Sequence, residues 1–154
     1  MTSQSIVLTR RVDAAPARVW SVLIDIENAA DTLSGVESVE LLGPATYAIG
    51  TRWRETRIMF GKKATEEMWV TAVDAPRRTV VEAESSGAHY PTIFTVEAEG
   101  TGSRLSLEFS GRPVTDSLGQ RLIWSTVGKL GLSAAAKTMR VDLDDIATAA
   151  ERLV

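Results

Sequence analysis

The chain has 154 residues, with 17 lysines and arginines, 20 aspartates and glutamates, one histidine and no cysteine, for a net charge of −3 at neutral pH. That length suits a single domain over residues 1–154, with a core large enough to stand without a disulfide or a structural metal. The composition excludes thiol chemistry, confines any Ser-His-Asp arrangement to His89, and supplies no global positive field for a phosphate backbone, so no nucleic acid partner is expected.

Residues 1–11 lack the basic stretch ahead of an apolar run that marks a secretory leader, and no window approaches the roughly 18 apolar residues needed to span a bilayer. A cytoplasmic protein with no transmembrane segment is expected. Residues 6–13 are β-rich and end at Ala14-Ala15-Pro16, where proline suits the first turn of a helix. Val19, Trp20, Leu23, Ile24 and Ile26 then recur at helical spacing, with Arg18, Ser21 and Asp25 between them, which predicts a short amphipathic helix. Residues 27–34 add a second short helical turn before Gly35. Val36, Val39, Leu41 and Leu42 restart a strand that stops at Gly43-Pro44.

From 46 to 113, turn residues at Gly50, Gly61-Lys62, 74–78, 85–88 and Gly100-Thr101-Gly102 divide the chain into strands over 51–60, 63–73, 79–84, 89–99 and 104–112. With 6–13 and 36–42 they suffice for one curved antiparallel sheet. In the last strand Leu105, Leu107 and Phe109 take one face while Ser106, Glu108 and Ser110 take the other.

Beyond Pro113 the pattern turns helical. Leu132, Ala136, Met139, Leu143, Ile146, Ala150 and Leu153 step alternately by four and three residues, the strongest periodic signal in the chain. Thr115 or Ser117 serves as N-cap, and Leu118, Leu122, Ile123, Trp124 and Val127 carry apolar character through the first half. Gly128 and Gly131, each costing about 1 kcal/mol in a helix interior, mark a kink, a break or a close approach to the sheet. The apolar stripe needs a covering surface, and the concave face of the strand meander is the sizeable one. Asp142, Asp144 and Asp145 lack the glycine and terminal glutamate of a calcium loop and read as the wet face of this helix. Gly100-Thr101-Gly102 reads as a hairpin turn rather than a phosphate cradle. No metal and no cofactor is expected.

The stretch Val12-Asp13-Ala14-Ala15-Pro16-Ala17-Arg18-Val19-Trp20-Ser21-Val22-Leu23-Ile24-Asp25 resembles the opening of START-like (Bet v 1-like, SRPBCC) proteins, especially the polyketide cyclase/dehydrase and lipid transport families. Gly50-Thr51-Arg52-Trp53-Arg54-Glu55 is similar to their third strand, and Val70-Thr71-Ala72-Val73-Asp74-Ala75-Pro76-Arg77-Arg78 to their fourth with its proline-containing turn. The match runs in order along nearly the whole chain, and its motifs are architectural. The resemblance implies an α+β helix-grip fold: a curved seven-stranded antiparallel sheet wrapped around a long C-terminal helix, two short helices after the first strand, and a cavity between helix and sheet. Members bind lipids, polyketides, sterols or other apolar small molecules there. Some catalyse cyclisation or dehydration and others only carry ligands, so the fold does not choose between these.

A hairpin turning within residues 60–63 puts Trp53, Glu55, Arg57 and Met59 on one face with Ala64, Glu66, Met68 and Val70. Arg52, Arg54, Thr56, Glu67, Trp69 and Thr71 share the more polar face, so the first is assigned to the cavity. Glu55, Arg57 and Glu66 then point at an apolar interior, where an ionised group must be paired or shift its pKa. In a functional reading Glu55 is a general acid or base and Arg57 stabilises a developing enolate oxygen. In a structural reading they form a salt bridge at the sheet's rim worth about 0–1 kcal/mol. By alternation Tyr90, Thr92 and Phe94 face inward and His89 outward. Trp124, beside the glycine pair, either floors the cavity or packs in the core.

The expected function is therefore to hold an apolar lipid- or polyketide-like ligand in a cavity lined by Trp53, Met68, Tyr90, Phe94, Phe109 and Trp124. Two alternatives stand beside it. One is a cyclase or dehydratase using the same cavity, with Glu55 and Arg57 as polar participants; the other is a protein-interaction module whose cavity has collapsed. The sequence carries no strong catalytic motif and leaves the choice between enzyme and carrier open. The expected partner is an apolar small molecule, and a homodimer is compatible with the reading.

Overall fold

The computed structural model describes residues 4–59, 61–85, 87–113 and 118–152, with side chains for 5–58, 61–84, 87–112 and 133–152. The chain opens with β1 (Gln4–Val12) and α1 (Pro16–Leu23), followed by a 3-10 turn (Ile26–Asn28) and α2 (Ala29–Thr32). Six strands follow: β2 (Val36–Leu41), β3 (Arg52–Met59), β4 (Lys62–Asp74), β5 (Arg78–Ser85), β6 (Ala88–Glu99) and β7 (Gly102–Pro113). The last element is α3 (Leu118–Arg152). Among the described residues the strands form one antiparallel sheet in the order β1-β7-β6-β5-β4-β3-β2, so β1 and β2 are its edges. The architecture is the helix-grip fold.

Local chemistry accounts for the element ends. Pro16 opens α1 behind an extended Ala15, and the helix buries Val19 and Trp20. The β6–β7 turn pairs Glu99 with Gly102 and places Gly100 at φ +59, a left-handed backbone that glycine adopts without a Cβ clash. Gly102 is required for a different reason: a Cβ there would stand 2.4 Å from the Val12 carbonyl oxygen, so β7 begins in close contact with the end of β1.

The hairpin between β3 and β4 pairs Met59 with Lys62, whereas a turn on Gly61-Lys62 would have put Met59 opposite Ala64. The partners slide by two residues, the sheet's own period, so the faces stay as the alternation predicts. In β4 an extra residue between Val70 and Ala72 shifts the register against β5, a bulge after which Val73 pairs with Thr79.

Among the described residues the inner face carries two buried clusters, of which the larger one includes α3. In the larger one Leu8, Val96, Leu105 and Leu107 of the sheet meet Val19 and Trp20 of α1 and Leu143, Ile146 and Ala150 of α3. Leu105, Leu107 and Leu143 are essentially sealed from water, each contributing about 1.5–3 kcal/mol of burial. The smaller cluster centres on Trp53, Val70 and Val81. Over it folds the 42–50 loop, whose Tyr47 hydroxyl lies 2.8 Å from the Oγ1 of buried Thr79.

α3 is helical without interruption through Gly128 and Gly131, so the glycine pair does not break it. Thr115 and Ser117, the expected N-caps, lie outside the described residues. The acidic triplet differs from the sequence expectation. Asp144 accepts from Arg10 Nε of β1 at 2.8 Å, and Asp145 accepts from both the amide and the hydroxyl of Ser34 at 2.8 Å. Asp142 turns inward to β3 and is part-buried. Successive helix positions diverge by about 100°, so these carboxylates tie the helix to opposite sides of the curved sheet instead of sharing one wet face. No helix among the described residues is long and apolar enough to cross a membrane.

Candidate functional site

The strand registers build the inner face as rows. In one row Trp53 of β3 opposes Met68 of β4, Met68 opposes Ala83 of β5, and Ala83 opposes Tyr90 of β6. In the next, Val70, Val81, Thr92 and Phe109 follow one another across β4 to β7. Trp53 is buried, while Met68, Tyr90, Phe94 and Phe109 keep partial exposure. The Tyr90 and Phe109 rings stack with centroids 5.5 Å apart and planes 8° from parallel. Five of the six residues expected to line a cavity thus share the inner face. The sixth, Trp124, falls within α3 by backbone, and its side chain lies outside the described residues.

One step along β3 and β4 from the Trp53–Met68 pair, Glu55 opposes Glu66. Here the structure assembles a cluster in which Arg57 and Asp142 lie 85 residues apart in sequence. Arg57 donates from Nε to Glu55 at 2.7 Å, and from Nη1 and Nη2 to the two oxygens of Asp142 at 3.2 and 2.8 Å. Trp53 Nε1 donates to the other Glu55 oxygen at 3.4 Å. Side-chain exposure is 17% for Arg57, 8% for Glu55 and 13% for Asp142, so this is not an ion pair on a wet rim.

Two carboxylates therefore share one guanidinium. Burial disfavours the Arg57 charge, but Asp142 and Glu55 outweigh it and hold the guanidinium pKa above its ordinary value. Burial pushes the Asp142 carboxyl upward, and Arg57 pulls it back without fully offsetting that rise, while Glu55 and Asp145 add repulsion. Tyr90 is also raised, first by burial and then by the Glu66 charge, so its phenol keeps its proton.

Asp142 is the residue that sequence reasoning missed. The signal was present: it stands three residues after Met139 and four before Ile146, on the border of the apolar stripe. What the sequence lacks is the rotation of α3 against β3 that sets Asp142 on Arg57. Gly35 contributes as well, since a Cβ there would lie 3.2 Å from Arg57 Nη1.

His89 points to the outer face, as alternation predicts, but in company. Its Nε2 meets Glu82, its Nδ1 lies 3.5 Å from Glu84, and its ring stands 6.2 Å from Trp69. Arg52 covers the other part of the Trp69 ring at 4.9 Å. Thr71 and His89 hold the Glu82 carboxyl below its ordinary range, with the Thr71 hydrogen bond as the larger cause, partly opposed by burial. This group is separated from the inner face by the sheet itself. Among the described residues no cluster of three or more acidic or histidine side chains is arranged to hold a metal ion.

A seven-stranded antiparallel sheet gripping a C-terminal helix, with two short helices after the first strand, defines a START-like protein. Residues 3–151 match the family model described as polyketide cyclase / dehydrase and lipid transport, and the chain belongs to that family. Solved structures agree in fold. A protein from Thermus thermophilus is 20% identical, with a TM-score of 0.77 over 96% of this chain and 97% of that one. The Zhui aromatase/cyclase from Streptomyces sp. R1128 is 19% identical, with a TM-score of 0.78 over 98% of this chain and 95% of that one. The di-domain aromatase/cyclase BexL of the BE-7585A biosynthetic pathway is 20% identical, with a TM-score of 0.79; the alignment takes in 97% of this chain and half of that one. A search of curated protein sequences finds no match.

Proposed function

We propose that the chain holds an apolar, lipid- or polyketide-like small molecule between the inner face of the sheet and α3. The observation that carries this reading is the row Trp53, Met68, Ala83, Tyr90, in which a methyl group sits between two long, half-buried side chains. With Phe109 stacked on Tyr90, that row sets flat aromatic surface beside the small, buried Ala83, a combination suited to a flat apolar molecule. The aromatase/cyclase neighbours and the family description support a ring-forming polyketide chain as one such ligand.

The test is calorimetric titration with 2-naphthalenemethanol, a neutral fused-ring probe. Saturable one-to-one binding is expected, weakened at least about tenfold in Ala83→Met, which fills the space beside the aromatic rings, with the circular dichroism spectrum retained. No saturable binding, or equal affinity in the variant, overturns the reading.

One observation favours the enzyme version of the same site. A carboxyl whose pKa is raised by burial holds its proton more readily and is better suited to pass it to and from a ligand oxygen, and Asp142 is raised in that direction here. Three of Arg57's donor positions are engaged by carboxylates, so it holds Glu55 and Asp142 in place. Loss of polyketide cyclisation in Asp142→Asn or Glu55→Gln, with probe binding intact, supports this version; unchanged turnover in both removes it.

A further inference from the structure

Among the described residues the buried polar side chains are matched to partners, with one exception. Thr51 donates to the Thr46 carbonyl oxygen, and Glu55 accepts from Arg57. The Thr79 hydroxyl meets Tyr47 and the Ala72 carbonyl oxygen, and Ser103 donates to the Ala14 carbonyl oxygen. Thr92 is 9% exposed, yet its hydroxyl makes no hydrogen bond among the described residues. A buried hydroxyl left unbonded is costly, and such a group is satisfied by something that the chain itself does not supply. In β6 Thr92 stands on the inner face between Val81 of β5 and Phe109 of β7, with Tyr90 and Phe94 two positions away on the same face. Val81, Phe94 and Phe109 offer a hydroxyl nothing to bond. The rings of Tyr90, Phe94 and Phe109 keep partial exposure, so a molecule resting against them also rests beside Thr92.

We infer that the Thr92 hydroxyl is a hydrogen-bonding anchor of the site, and that its ligands are flat apolar molecules carrying a hydroxyl or carbonyl oxygen rather than pure hydrocarbons. The inference rests on the ligand-binding reading above and adds the polar group that the ligand presents. A threonine hydroxyl both donates and accepts, so either kind of oxygen satisfies it. Under a hydrocarbon the hydroxyl stays unpaired in a site that has also lost its water. That is how a site built around a polar group rejects an analogue lacking the matching one.

The experiment compares 2-naphthalenemethanol with 2-ethylnaphthalene, which puts a methyl group where the alcohol has its hydroxyl. Dissociation constants for both are measured by equilibrium dialysis against the wild type, Thr92→Val and Thr92→Ser. The hydrocarbon is the more hydrophobic probe, so the readout is the ratio of its constant to that of the alcohol within each protein. Thr92→Val keeps the side-chain shape and removes the hydroxyl, and is expected to lower that ratio about threefold to tenfold, the worth of one hydrogen bond. Thr92→Ser keeps the hydroxyl and is expected to hold the ratio near the wild-type value. Because the hydroxyl has no bond within the fold to lose, Thr92→Val is also expected to melt no lower than the wild type. A ratio unchanged in Thr92→Val, with both probes bound, overturns the anchor and leaves the ligand-binding reading standing. Binding of neither probe to the wild type overturns both. An equal fall in Thr92→Ser assigns the effect to packing, and a Tm several degrees lower in Thr92→Val assigns the hydroxyl a bond within the fold; either overturns the anchor.

Discussion

Replacing Arg57 with methionine keeps most of its volume and removes the cation that Glu55 and Asp142 share. Breaking a buried ion pair by deleting one partner costs about 3–5 kcal/mol, because the other partner is left charged and desolvated. Exposures of 8% for Glu55 and 13% for Asp142 admit some water, which places the expected loss at the lower end, about 3 kcal/mol. For a chain of this size each kcal/mol lowers Tm by about 2–4 °C, so a fall of about 6–12 °C is expected at pH 8. The sign with pH follows from linkage. Without Arg57, which pulls the Asp142 pKa down, the folded pKa of Asp142 lies further above its unfolded value, so the folded variant binds more protons and its stability declines as pH rises through that raised value. The gap to the wild type is therefore wider at pH 8 than at pH 5. Thermal unfolding followed by circular dichroism at both pH values checks this. A fall under about 3 °C at pH 8, or an equal gap at both, would refute the view that the cluster is buried and coupled.

In the wild type, the raised Asp142 pKa contributes stability that is present below the unfolded value and lost as pH rises through the folded one; Asp142→Asn should flatten that part of the Tm–pH curve. Asp145→Ala removes both hydrogen bonds to Ser34 and is expected to cost about 1–2 kcal/mol, with faster amide exchange at Ser34 as its local signature. Gly102→Ala forces a Cβ to 2.4 Å from the Val12 carbonyl oxygen, and urea unfolding should report a loss of about 1–3 kcal/mol; a neutral result would mean that β1 and β7 part easily. Tyr47→Phe leaves the Thr79 hydroxyl bonded to the Ala72 carbonyl oxygen at 3.0 Å, so its cost should stay near 0.5–1.5 kcal/mol, about that of one hydrogen bond.

Much of this architecture is legible in the residues because strand and turn chemistry is local. The expected strand over 79–84 is observed as Arg78–Ser85, and that over 89–99 as Ala88–Glu99. Alternation placed Glu55 and Arg57 with Met68 on one face even though the β3–β4 pairing was off by two residues, since a slip of two preserves every face. The information that fails is relational. Asp142 meets Arg57 only through the rotation of α3 about its own axis, and His89 meets Glu82 only through the β5–β6 register. The spacing of Asp142 from Met139 and Ile146 marks it as a border position but does not name its partner, and the acidic triplet invites a solvent-facing reading until each carboxylate is traced to its own partner.

Whether the inner face around Ala83 receives a small apolar molecule is read out by isotope-filtered NOE spectroscopy of methyl-labelled protein with 2-naphthalenemethanol. Contacts are expected from the naphthalene ring to the Met68 and Ala83 methyl groups and none to Val7 or Ile58, which are exposed elsewhere on the sheet. Contacts confined to those exposed side chains, or no intermolecular contacts at saturating probe, would contradict binding at this face.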